Sequence, residues 1–270
     1  MSDDTTNRPA VLVERRGNVL VITINRPDAR NAVNGAVSEG VGDALEEAES
    51  DPEVRVVVLT GAGDKSFSAG ADLKAISRGE NVMHPRRADW SFAGYANHFI
   101  DKPTIAAVNG TALGGGTELA LASDLVVACE SASFGVPEVK RGLIAGAGGA
   151  FRLIEQLPPK VGLRLLFTGE PISAVEALRW GLITEVVPDG PGNPALHAAL
   201  ALAERITVNA PLAVQASKRI AYRADDGVIS DEATDWQRSA EAFAKVLQSE
   251  DAKEGPLAFA EKRAPVWKAR

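Results

Sequence analysis

The chain has a single cysteine, two methionines, two tyrosines and three histidines in 270 residues, and each scarcity excludes something. The lone Cys129 rules out an intramolecular disulfide, and its apolar context DLVVACE reads as core packing in a reducing, cytoplasmic setting. His84, His98 and His197 follow no metal-ligand spacing, so no metal is expected. H-E-x-x-H, G-x-S-x-G and G-x-x-x-x-G-K-[ST] are also missing, which removes support for zinc, serine-triad and nucleotide-hydrolase chemistry. No apolar run approaches the roughly 18 residues of a membrane helix, so no membrane association is expected. A basic excess is lacking too: the net charge is -7 and the pI about 5.2, which argues against nucleic acid as a partner. The opening MSDDTTNRPA has neither the basic start nor the apolar stretch of a secretory signal, and residues 1–10 are expected as a flexible leader.

What is present is an alternation of short β-branched runs with helical patterns, an α/β arrangement. VLVERRGNVLVITINRP predicts two strands joined at Arg16-Gly17-Asn18. A helix over 34–49 follows, with Val37, Val41, Leu45 and Ala48 at helical spacing and Asn34 as its cap. VRVVVLTGAG, TIAAVNG and DLVVACE repeat a strand-then-turn format. A capped helix is expected from about Ser173 to Trp180, stopped by Gly181 and followed by a short strand. DGPGNPA at 189–195 is the best linker, and almost everything after it is helical, with apolar stripes that need a partner surface.

Glycines 114–116 permit close approach of backbone to ligand, and a helix begun there aims free N–H groups at whatever lies above it. A turn needing glycine for steric reasons alone would read the same. GGGTEL and GAGGAF do not complete G-x-G-x-x-G. Glu118 falls in the first turn after the glycines, where the helix dipole is expected to favour its ionised form and suit it as a base. Glu138, after Pro137 between FGV and VKRGL, is expected to be partly buried, with a raised pKa and a proton to give. Upstream, FSAGADLK offers a second N–H donor at Ala71, with Asp72 suited to cap a helix. Two backbone donors and two carboxylates suit chemistry on a thioester.

Taken together these residues make the chain similar to the enoyl-CoA hydratase/isomerase (crotonase) superfamily. Five blocks carry the resemblance in order: NRPDARNAVN; VVVLTGAGDKSFSAGADLK; the long stretch KPTIAAVNGTALGGGTELALASDLVVACESASFGVPEVKRGLIAGAGGAFRL; LLFTGEPISAVEALRWGLITEVVP; and EGPLAFAEKRAP. The resemblance implies a crotonase-like spiral of repeated ββα units over 11–190. It also implies a helical region over 191–270 that assembles trimers or dimers of trimers. By position the oxyanion donors would be Ala71 and Gly115, and the catalytic acids Glu118 and Glu138. Ala69, Asp72, Leu73, Lys74 and Gly114 would lie beside coenzyme A, with Phe259 and Lys262 reaching it from the C-terminal region. Coenzyme A is then part of an acyl-CoA substrate, and no separate cofactor is expected. Because both acids are kept, the implied reaction is hydration of a 2-enoyl-CoA to a 3-hydroxyacyl-CoA, or the reverse, in fatty acid metabolism. The alternatives are a Δ3,Δ2-enoyl-CoA isomerase and a non-enzymatic RNA-binding homologue, the latter disfavoured by the acidic balance and the lack of a lysine-rich helix. The chain departs from many hydratases at Ala145, where proline is common, and at Ala150-Phe151, where polar residues are. Residues 78–100 follow no pattern, in the stretch where members vary around the acyl pocket.

Overall fold

The hairpin signal becomes β1 (Val11–Arg16) and β2 (Val19–Ile24), antiparallel with Val13 opposite Ile22. A computed structural model describes residues 8–270, so most of the leader expected at 1–10 lies outside the described residues. Next come α1 (Gly35–Ser50), capped by the Asn34 side chain on Val37 N at 3.1 Å, then β3 (Val56–Gly61), β4 (Ser66–Ser68) and the short α2 (Leu73–Ser77). The pattern repeats as β5 (Thr104–Val108), β6 (Thr111–Leu113) and α3 (Gly115–Ala122), then β7 (Leu125–Cys129), β8 (Ser133–Gly135) and α4 (Gly149–Gln156). α5 (Pro159–Thr168), β9 (Ile172–Ser173), α6 (Ala174–Trp180) and β10 (Glu185–Val187) complete this part of the chain. Ser173 caps α6 in a reciprocal box with Glu176, and Gly181 ends it in the left-handed region.

From β3 to β8, successive strands go to different sheets. One sheet has the order β1-β2-β3-β5-β7-β10, parallel from β2 onward; the other has the order β4-β6-β8-β9. Each ββα unit that begins at β3, β5 or β7 therefore adds one strand to each sheet, and the chain advances as a spiral. Alternation along the buried strands divides the core in two. Leu20, Ile22, Val57, Leu59, Ala106 and Val126 face one cluster, which also holds Phe67, Leu119 and Phe134. Val21, Val58, Ile105, Val127 and Cys129 face the other.

That second cluster is closed by α7 (Pro194–Thr207), whose Ala195, Ala199 and Ala203 form a fully buried stripe small enough for close approach to the sheet. The expected linker at 189–195 is tied down on both sides. Asp189 accepts from Ser131 Oγ at 2.7 Å, and Asn193 caps α7 while donating to Thr60 Oγ1 at 3.1 Å. The first helix of the C-terminal stretch is thus a layer of the core. Beyond it lie α8 (Pro211–Tyr222), a small hairpin of β11 (Ala224–Asp225) and β12 (Val228–Ile229), α9 (Ala233–Leu247) and α10 (Glu250–Ala260). No helix among the described residues is long and apolar enough to cross a membrane.

Candidate active site

The NRPDARN segment builds the floor. Fully buried Asn31 donates to Ala62 O at 2.9 Å and Ser66 O at 2.7 Å, and accepts from Arg26 N at 3.0 Å, fixing the turn into β4. Val33 then forms an isolated parallel bridge with Ala71: Val33 N donates to Gly70 O at 2.8 Å and Asp72 N to Val33 O at 2.9 Å. This geometry turns the Ala71 N–H away from Val33. It has no acceptor among the described residues.

On its far side is the N-terminus of α3. Gly70 has φ +84°, and a Cβ there would sit 2.9 Å from Gly115 N and 3.0 Å from Leu113 O, so only glycine lets the two segments meet this closely. Gly115 is the first residue of α3, where an N–H has no partner within the helix, and it too has none among the described residues. The two segments that carry the unengaged amides of Ala71 and Gly115 are thereby brought together.

Both glutamates attach to the same helix end. Thr117, fully buried, accepts from Gly135 N at 2.9 Å and donates to Ala112 O at 2.7 Å, locking α3 to the strand that leads into Pro137-Glu138. Glu138 lies on a 3-10 turn over Pro137–Arg141. Gly114 is held at φ +58°, ψ -126°, and a Cβ there would meet Glu138 Oε1 at 2.8 Å. Glu118, in the first turn of α3, is 3 % exposed, and its Oε1 accepts from Ala147 N at 2.7 Å and Gly149 N at 2.9 Å.

The electrostatic environment of Glu118 differs from the expectation. Its place in the first turn of α3 is as foreseen, but the side chain is wholly buried, and desolvation outweighs the helix terminus. Burial pushes its pKa up, held back by the two amides and by the charge of Arg152. Burial and the neighbouring Glu118 push the Glu138 carboxyl up as well, and its Oε2 is buried with no hydrogen-bond partner. Two amide donors favour the ionised form of Glu118 and the Glu138 Oε2 has none, which makes Glu138 the better holder of a proton in the pair.

The loop holding Glu118 is braced by residues far away in sequence. Arg152 is buried, donates to Ala96 O at 2.7 Å, and makes two bonds to Glu232 at 2.9 and 2.6 Å. A Cβ on Gly148, between the two donor amides, would meet Arg152 Nη1 at 3.2 Å and the Trp236 ring at 3.3 Å. Ser239 Oγ donates to Gly146 O at 3.1 Å. α9 therefore clamps 145–149 from behind, a role that the sequence did not disclose for Arg152, Glu232, Trp236 or Ser239.

The remaining expected residues are spread more widely. Asp72 caps α2, accepting from Lys74 N and Ala75 N at 3.1 Å each, and pairs with Arg26 at 2.9 Å. Ala69, Leu73 and Lys74 are exposed beside Ala71. Phe259 on α10 lies under the Arg141 guanidinium, 3.9 Å from its ring centre, and so abuts the end of the Glu138 turn. Lys262 is exposed just past α10. A cavity of about 620 Å³ opens near Thr60, Asn109, Asp189 and Asn193, and neither glutamate lines it.

Residues 14–270 match the enoyl-CoA hydratase/isomerase family model, and the chain belongs to that family and to its crotonase-fold hydro-lyases. Among curated relatives it is 47 % identical over 259 residues to a carnitinyl-CoA dehydratase of Salmonella typhi, covering 95 % of this chain and 97 % of the relative. Among solved structures it is similar to a carnitinyl-CoA hydratase from Mycobacterium avium, with 74 % identity, 98 % and 100 % coverage and a TM-score of 0.96. An enoyl-CoA hydratase from Mycobacterium tuberculosis H37Rv shares 46 % identity over 97 % of this chain and 100 % of that one, with a TM-score of 0.75.

Proposed function

We propose that the chain interconverts a 2-enoyl-CoA and its 3-hydroxyacyl-CoA, and that its acyl group is the carnitinyl group named in its relatives. In carnitinyl-CoA, the 3-hydroxyacyl chain carries a trimethylammonium on Cγ. The observation that carries the reaction type is the joining of both glutamates to one helix end, beside two unengaged amides.

In the hydration direction the thioester oxygen accepts from Ala71 N–H and Gly115 N–H. Ionised Glu118 takes a proton from water as the water oxygen bonds to Cβ, and the π electrons move onto the thioester oxygen as an enolate. Reformation of the carbonyl draws a proton from Glu138 to Cα. One water is added, and the pair carries one proton before and after. Each amide contributes on the order of 3 kcal/mol to the enolate. An isomerase shuttling a proton between carbons needs one acid of this kind, so the second buried carboxyl favours hydration.

Ala69, Asp72, Leu73, Lys74 and Gly114 are the residues we assign to the coenzyme A arm, joined by Phe259 and Lys262. The apolar side chains of Val208, Leu212 and Ile220, each more than three-quarters exposed, support assembly into trimers or dimers of trimers. The test of the reaction is loss of conjugated thioester absorbance on adding a 2-enoyl-CoA. Glu118→Gln is expected to slow it by at least about 100-fold. A protein that moves the double bond of a 3-enoyl-CoA yet never hydrates a 2-enoyl-CoA would overturn the reading.

A further inference from the structure

We infer that Phe92 forms the subsite for a quaternary ammonium group on the acyl chain and so determines specificity for a cationic substrate; this rests on the carnitinyl reading above. A Cβ built on Gly115 would lie 2.4 and 2.5 Å from Cε1 and Cζ of the Phe92 ring. In a helix the Cα–Cβ direction tilts toward the N-terminus, the same side as the unengaged Gly115 N–H. The ring therefore stands beside the point where the thioester oxygen would be held.

Its placement is rigid. Phe92 is 7 % exposed, and its two neighbours are non-glycine residues in the left-handed region, Ser91 at φ +61° and Ala93 at φ +60°. Strain of this kind persists only where the surroundings hold it, and it concentrates at functional sites. The local field also suits a cation. Glu118 and Glu138 face the site, and the Arg152 guanidinium, whose charge reaches Glu118, is committed to Glu232 and Ala96 O.

A trimethylammonium has no N–H to donate, so hydrogen bonding cannot recognise it and an aromatic face can. Attached to Cγ, its nitrogen is four bonds from the carbonyl carbon. A ring standing beside the thioester oxygen can therefore be reached by the cation, whose attraction extends to roughly 6 Å from a ring centre.

The experiment compares 3-hydroxy-4-(trimethylammonio)butanoyl-CoA with its neutral isostere 3-hydroxy-5,5-dimethylhexanoyl-CoA, in which carbon replaces the charged nitrogen. The readout is the ratio of the two kcat/KM values. Phe92→Leu is expected to lower the cationic-to-neutral ratio by about 10- to 30-fold. Because Leu could also disturb packing, a second series replaces Phe92 with mono-, di- and trifluorinated phenylalanine, which keeps the ring's shape while draining its face of charge. The ratio should then fall stepwise with each fluorine. A ratio unmoved across both series, in an enzyme that still dehydrates the cationic thioester, overturns the Phe92 subsite and leaves the substrate reading standing. Wild-type enzyme that acts on the neutral thioester but not the cationic one overturns both and leaves the hydratase reading intact.

Discussion

Replacing Glu138 by Gln should make the protein more stable and nearly inactive, and the stability gain should grow with pH. The folded-state pKa of Glu138 is raised by burial and by Glu118, so the native state keeps a proton that the unfolded chain releases. Where the native state binds more protons than the unfolded one, stability falls as pH rises, from the ordinary carboxylate range up through the raised value. Glutamine does not titrate, so the variant escapes that loss. The relevant atom is Oε2, buried without a partner. Stranding one buried polar group costs roughly 1–3 kcal/mol, more when it is charged. At about 2–4 °C per kcal/mol for a chain of this size, the variant should melt several degrees higher at about pH 9 and close to wild type at about pH 5. Thermal melts followed by circular dichroism at both pH values, alongside the absorbance assay, measure the two effects together. Loss of the general acid should lower kcat by at least about 100-fold. A melting difference that does not widen with pH would refute the placement of the shared proton on Glu138.

Other substitutions test the supports of the site. Gly114→Ala puts a Cβ 2.8 Å from Glu138 Oε1 at a backbone conformation that suits glycine. It should cost about 1–3 kcal/mol, and steady-state kinetics should show kcat falling more than KM rises. Glu232→Ala leaves the buried Arg152 guanidinium unpaired, which should cost about 3–5 kcal/mol in urea unfolding. Asp72→Ala removes the cap of α2, with an expected loss of about 1–2 kcal/mol by the same measurement.

The sequence disclosed those parts of the fold where local chemistry and global packing agree. Arg16-Gly17-Asn18, the Asn34 cap, and the Ser173 box closed by Gly181 are short-range signals, and each produced the element expected. The candidate residues Ala71, Gly115, Glu118 and Glu138 were legible through their glycine-rich context and ordered blocks. The upward push on the Glu118 pKa was not, because burial is a property of the assembled core and outweighs the helix terminus. Nor was the bracing of its loop, since Gly148, Arg152, Glu232 and Trp236 meet only after the C-terminal region has folded back. Residues 78–100 resisted reading for a different reason. Ser91 and Ala93 adopt left-handed backbone that no glycine announces, and tertiary contacts alone put Phe92 against Gly115.

The most direct test of the central claim is equilibration of a 2-enoyl-CoA with purified protein in deuterium oxide, followed by mass spectrometry of the thioester. Conversion to a 3-hydroxyacyl-CoA with deuterium at Cα, abolished in Glu118→Gln and Glu138→Gln alike, is the predicted result. A thioester recovered unhydrated, or hydration that survives loss of both carboxyls, would contradict it.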